Sequence, residues 1–312
     1  MSKKMNPLLK HSIALVLSTA VFSSTSYAAS CSAPSTMNWN STSWTGCAAS
    51  GPVAGDSVFI SSFGGAVLSL NGVDTPALSN FNASGSNTLN DAGAGAGSLT
   101  TATISPLITY NVLVDFTHNN SALTVTGGGI TIGYYWGGTK WLSGTAKFGT
   151  GAVTLAGDLA VHPDEDGPNT HGKFTMSSGG TLEFTAVTTS IKAYQTATAT
   201  AVITLQGTSS TPLVLKSAGT TTFTAPTLAN TTGAGTYNLD YVHFATGTWV
   251  VDSSVTITEP PNCTYAAGAT PPAAWTGCTS SGGSSAVSAS VNLNSNKKPE
   301  LFSRTISLEP ER

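Results

Sequence analysis

The sequence predicts an all-β fold, on three observations. Short runs of apolar and β-branched residues alternate with period two, as in Leu123 with Val125, Val153 with Leu155 and Leu182 with Phe184, which turns one set of side chains inward. Gly, Ser and Asn separate the runs at spacings of about eight to twelve residues, the pattern of a sandwich, a barrel or a β-solenoid. No segment after residue 28 carries a helical apolar period, which argues against a parallel sheet made of βαβ units. Strands are expected over 57–60, 66–70, 110–116, 122–126, 129–132, 146–148, 152–155, 173–176, 181–184, 201–205, 212–215, 221–223, 237–244 and 249–257.

The amino terminus reads as a secretory signal peptide. Lys3, Lys4 and Lys10 give a positive start, Ile13 to Phe22 a short apolar run, and Ser26 and Ala28 small residues at the positions a cleavage site needs. The run is too short for a membrane anchor. Cleavage after Ala28 leaves 284 residues of the 312, with 9 basic and 15 acidic side chains, a net charge of −6. All four cysteines fall in this part. An even number in an oxidising compartment predicts disulfides.

Composition removes some functions. Only 9% of residues are charged against 40% hydrophobic, and no arginine lies between residues 29 and 296. Its lysines there are Lys140, Lys147, Lys173, Lys192 and Lys216. Nucleic-acid binding needs clustered cations to displace counterions from phosphates, so it is excluded. A lyase acting on uronates is disfavoured on the same ground. Thr, Ser, Gly, Ala and Val dominate, which suits pleated surfaces and turns. Low charge with abundant apolar residues indicates a folded chain rather than a disordered one.

The segment Trp44-Thr-Gly-Cys47, followed by Pro52-Val-Ala-Gly-Asp-Ser-Val-Phe-Ile60, resembles the opening of secreted bacterial right-handed β-helix and adhesin-like surface proteins. There a Trp- and Cys-containing cap leads into a first strand of this type. Residues 202–217 and 237–244 resemble rungs of such proteins. The resemblance implies a right-handed parallel β-helix over residues 29–278; a β-sandwich is the alternative. A strict repeat length is missing, and no terminal membrane barrel of the autotransporter kind follows. The cysteine pairs Cys31/Cys47 and Cys263/Cys278 both end in Trp-Thr-Gly-Cys. Pairing near neighbours is the simplest of three connectivities, and the two loops, 31–47 and 263–278, would then cap a solenoid whose end rungs need covering. A redox or metal role is the alternative, without CxxC spacing to support it.

Two segments hold candidate sites. His162-Pro-Asp-Glu-Asp-Gly-Pro-Asn-Thr-His171 gathers acids and histidines in a chain otherwise poor in charge. It reads first as a solvated loop. Second, Asp164, Glu165, Asp166 and Asn169 offer oxygen ligands for calcium, the one cofactor the sequence suggests. Tyr134, Tyr135, Trp136 and Trp141 cluster beside Gly137-Gly138 and read either as core filling or as an exposed stacking platform for sugar or protein. Asp240 with His243, and Asp115 with His118, lie three apart and so on opposite strand faces. No GxSxG or HExxH motif is present.

From Thr279 a Ser/Gly linker leads to alternating residues 287–293 and a second strand-like run, 301–308. This tail is either frayed or an edge-adding strand. The expected function is a secreted or cell-surface structural and adhesive protein, bacterial in style, acting on itself or on a surface glycan or protein. A carbohydrate-active enzyme or glycan-binding module on the same scaffold is the rival. Ice binding through threonine rows is a third reading, hinted at by Thr196, Thr198 and Thr200.

Overall fold

A computed structural model describes residues 28–48, 50–60, 65–104, 111–166, 171–177, 179–228, 230–260 and 262–281. Residues 1–27, which hold the run read as a signal peptide, Asn169 and the tail beyond residue 281 lie outside these. Every regular element described is a strand. The strands form three sheets of eleven, eight and six members, parallel except for Gly233–Ala234, which joins the six-stranded sheet antiparallel, with a two-stranded antiparallel hairpin apart from them. The chain visits them in turn: a strand of the eight-stranded sheet, one of the eleven-stranded sheet, then, from Ile130–Ile132 onward, one of the six-stranded sheet. Each circuit lies on the one before, so this is a parallel β-helix. The sandwich alternative falls, because consecutive strands sit in different sheets and pair parallel with the next coil.

Register holds the coils together. In the eight-stranded sheet Met37, Leu68, Leu89, Val114, Ala146, Phe174, Ile203 and Tyr237 are successive partners. In the eleven-stranded sheet Leu99, Leu123, Val153, Leu182, Leu215, Phe244 and Tyr265 form a second column. Ile130, Leu159, Ile191, Phe223 and Val251 form a third. The columns face inward and make one apolar core. Burial of such side chains contributes about 1.5–3 kcal/mol each. Phe116, Phe148 and Phe174 add ring contacts at 5.7 and 5.6 Å. Three buried hydroxyls pair with one another: Thr189 Oγ1 meets Thr221 Oγ1 at 2.8 Å, and Thr221 donates to Ser217 Oγ at 2.9 Å.

Both cysteine pairs are disulfides between near neighbours, Cys31–Cys47 and Cys263–Cys278. Each Trp-Thr-Gly-Cys sequence lays its tryptophan over one end of the core. Trp44 meets Trp39 edge-on at 5.2 Å and donates to its carbonyl. Trp275 packs on Phe223 and Phe244 of the last coils. Asp56 fastens the first cap by accepting from the backbone of Ala29 and Val53. It also approaches Cys31 and Cys47, but both sulfurs are bonded to each other, so this trio offers no thiolate to a metal.

The structure revises several expected elements. Residues 237–244 are two strands, Thr236–Asp240 and Val242–Phe244, in different sheets, because the chain turns a corner at Tyr241. The strand expected over 249–257 ends at Val251. Thr196, Thr198 and Thr200 form no strand row: Gln195 ends its strand, and Thr196 and Ala199 close a turn through Thr196 N–H to Ala199 O.

Replacing both Cys263 and Cys278 by Ser should lower unfolding stability by about 3 kcal/mol, the chain-entropy value for a loop of roughly 15 residues. Urea unfolding of oxidised wild type beside the variant measures this, and equal midpoints would contradict the capping role.

Candidate functional site

The coils are most irregular where the six-stranded sheet hands over to the eight-stranded one. Four successive coils carry an insertion here. The first is the hairpin of Tyr134–Trp136 and Lys140–Leu142. The second contains the acidic loop after Val161, the third spans 196–201, and the fourth spans 225–235. These insertions are joined to one another. Trp141 N–H donates to Glu165 Oε2 at 2.7 Å, and Thr198 Oγ1 donates to Glu165 Oε1 at 3.3 Å. Lys140 pairs with Asp166 at 2.5 Å. Asn230, from the fourth insertion, donates to the Tyr135 hydroxyl.

A stack of rings runs through this edge. Tyr135 tilts against Trp141 at 5.1 Å, Trp141 stacks on His162 at 3.9 Å, and His162 stacks on Tyr194 at 4.5 Å. The register explains it. Ile132, Val161 and Ala193 are successive partners, and the residues that follow them are Gly133, His162 and Tyr194. Gly133 leaves the first slot open, and the Trp141 ring from the hairpin fills it. A Cβ on Gly133 would lie 2.9 Å from both His162 Cβ and Ser143 Oγ, so no side chain fits there.

Close to the stack are buried polar groups without partners. Ser143, His162 and Asp164 are 0%, 5% and 2% exposed. Ser143 Oγ, His162 Nδ1 and both Asp164 carboxylate oxygens have no hydrogen-bond partner among the described residues. Buried acids elsewhere are satisfied: Asp91 accepts from the backbone of His118, Asn119 and Ser121. Burial pushes the Asp164 carboxyl up. The N–H groups of Asp166 and Ser143 and the His171 charge pull the other way without reaching hydrogen-bond geometry. Burial, with Lys192 adding repulsion, pushes His162 down to about 4, so its ring is neutral at pH 7. Buried polar groups of this kind are ordinarily met by ordered water.

The acidic loop's residues separate accordingly. Asp164 is buried, while Glu165 and Asp166 are occupied by Trp141, Thr198 and Lys140. The three described carboxylates do not converge as a shared ligand set, and Asn169 lies outside the described residues. Of the four aromatic candidates, Trp141 is buried and serves the stack. Tyr134 and Tyr135 are half-buried, and Trp136 stands 52% exposed with Lys140 Nζ 5.5 Å above its ring. Sequence reasoning missed Ser143, His162 as a stacked ring, and Tyr194. The available signal was positional: each ring sits one residue past an inward-facing strand residue, Val161 or Ala193. No protein family model, curated protein or solved structure matches the chain.

The His162 ring carries a pH consequence. Its folded pKa lies below the ordinary 6.5, so its contribution is present above that value and lost as pH falls from 6.5 to about 4, amounting to roughly 3 kcal/mol at about 1.4 per unit. His162→Phe keeps the stack and removes the proton site. Urea unfolding at pH 7.5 and pH 4 should show a smaller acid-side loss in the variant; an unchanged loss would contradict the assignment.

Proposed function

We propose that this protein is an extracellular structural and adhesive β-helix whose contact surface is the braced edge between its six- and eight-stranded sheets. The observation that carries this reading is Trp136. Exposed aromatic rings are the side chains that most often anchor binding interfaces, and this one stands on a hairpin braced by the neighbouring insertions. Tyr135, Lys140 and Asp166 flank it, so the edge offers a stacking face beside both signs of charge. That mixture suits a surface glycan or a protein partner. The disulfides suit an oxidising compartment, and no described helix is long and apolar enough to cross a membrane. An enzyme on this scaffold is less well supported, since the acids of the one acidic loop are buried or committed to structural partners.

Surface plasmon resonance of the mature chain over immobilised glycoproteins and matrix proteins tests the edge. Trp136→Ala should weaken the strongest response at least about tenfold with an unchanged melting temperature. Equal binding by the variant removes the edge from consideration.

Self-assembly through residues 287–308 belongs to the same proposal. Thr279–Ser280 is the last strand of the eleven-stranded sheet, and its outer edge is where an added strand would pair. Negative-stain microscopy should show filaments or ordered oligomers from residues 29–312 and single particles from 29–281. Single particles from both would end the assembly part of the proposal.

A further inference from the structure

We infer a second ligand site, for a neutral saccharide, in the groove around Tyr241 near the carboxy-terminal cap. The corner from the eight-stranded to the eleven-stranded sheet repeatedly calls for a left-handed residue. Asn71, Gly72, Gly93, Gly95, Asn120 and Gly179 supply it in other coils, with φ between 52° and 118°. Asn and Gly tolerate that region, whereas a bulky side chain there is an outlier. Tyr241 occupies the corner between Thr236–Asp240 and Val242–Phe244 with φ 45°. It is the one non-glycine, non-asparagine residue with positive φ among the described residues. The corner explains the conformation. It does not explain a tyrosine, which strains the backbone where Asn or Gly would not.

What the tyrosine gains is a place in a groove of about 430 Å³, within the range of small-ligand sites. The groove lies between the turn before Leu213 and the cap closed by Cys263–Cys278. This is a different corner from the one that carries Trp136. Tyr241 is its only aromatic lining residue among the described residues, and Thr208, Ser209, Asn262, Thr264 and Thr279 give it hydroxyls and an amide. No described lining residue is charged. Two acids adjoin it, both facing the protein: Asp240 Oδ1 accepts from Tyr241 N–H at 2.9 Å and Asn262 Nδ2 at 3.2 Å, and Glu259 accepts from Gly277 N–H. The site is also rigid. Gly207 presses under the corner, where a Cβ would lie 2.5 Å from Tyr241 O, and Leu213 N–H donates to that same carbonyl at 2.9 Å. One aromatic face among uncharged donors and acceptors matches the C–H face and hydroxyl rim of a neutral sugar. The adjoining acids disfavour a uronate.

Saturation-transfer NMR on the full mature chain tests this with maltotriose, cellotriose, xylotriose and tri-N-acetylchitotriose, and with trigalacturonate as the anionic counterpart. At least one neutral trisaccharide should receive transfer, and trigalacturonate none. Tyr241→Asn should weaken binding of that trisaccharide at least tenfold while the melting temperature stays the same or rises, because Asn suits the corner. Asn262→Ala should weaken it as well. Trp136→Ala should leave it unchanged, which separates this site from the edge proposed above. Transfer to no neutral sugar, unchanged binding in Tyr241→Asn, or a lower melting temperature in that variant would each overturn the inference.

Discussion

Vertical register is the constraint on which everything else here depends. Each coil must place an apolar side chain over its counterpart in the coil below, as Leu99, Leu123, Val153, Leu182, Leu215 and Phe244 do. The same constraint acts on the outward columns and accounts for the composition. Strands in a sheet lie about 4.8 Å apart, so like charges in a column repel at close range. Threonines avoid this, as in Thr100, Thr124 and Thr154. Where that column becomes charged, Glu183 is followed by Lys216. Asp115 likewise lies beside Lys147, 3.7 Å away. A charge content of 9% is thus a property of stacking.

Register constrains strands and leaves corners free. Partners in the eight-stranded sheet are separated by 21 residues between Leu68 and Leu89 but 34 between Ile203 and Tyr237. The added length is the six-stranded-sheet strand Thr220–Thr224 and the loop 225–235 after it, at the edge that carries the hairpin, the acidic loop and Asn230. A corner can therefore acquire an exposed ring such as Trp136, or a buried unpaired acid such as Asp164, without disturbing the columns. The tight corners behave differently. Close backbone contact at Gly207 and the left-handed requirement at Tyr241 leave few residue choices there.

The sequence made the strands legible where alternation was regular. The runs at 57–60, 152–155 and 181–184 match strands end for end. Variable coil length concealed the repeat. The strands Leu78–Ala83 and Ser98–Ile104 are rich in Asn, Ser and Thr and carry little apolar signal. Residues 237–244 looked like one strand because a tyrosine does not announce a corner that asparagine or glycine marks elsewhere. The cap disulfides were legible from the repeated Trp-Thr-Gly-Cys. The aromatic cluster at 134–141 was visible as a cluster. Its division into exposed Trp136 and stacked Trp141 was not, because His162 and Tyr194 come from later coils.

The two end caps also determine how the molecule answers to pulling. A coil held only by its neighbours peels off singly, and each of about 28 residues releases on the order of 100 Å of chain at roughly 3.3–3.6 Å per residue. A chain pulled from its ends would lengthen in coil-sized steps. The disulfides alter the first of those steps. Force entering at Cys31 or Cys278 crosses a sulfur–sulfur bond and bypasses the residues inside each loop. The loop residues then add no length, and extension begins with the coil just inward of Cys47 or of Cys263.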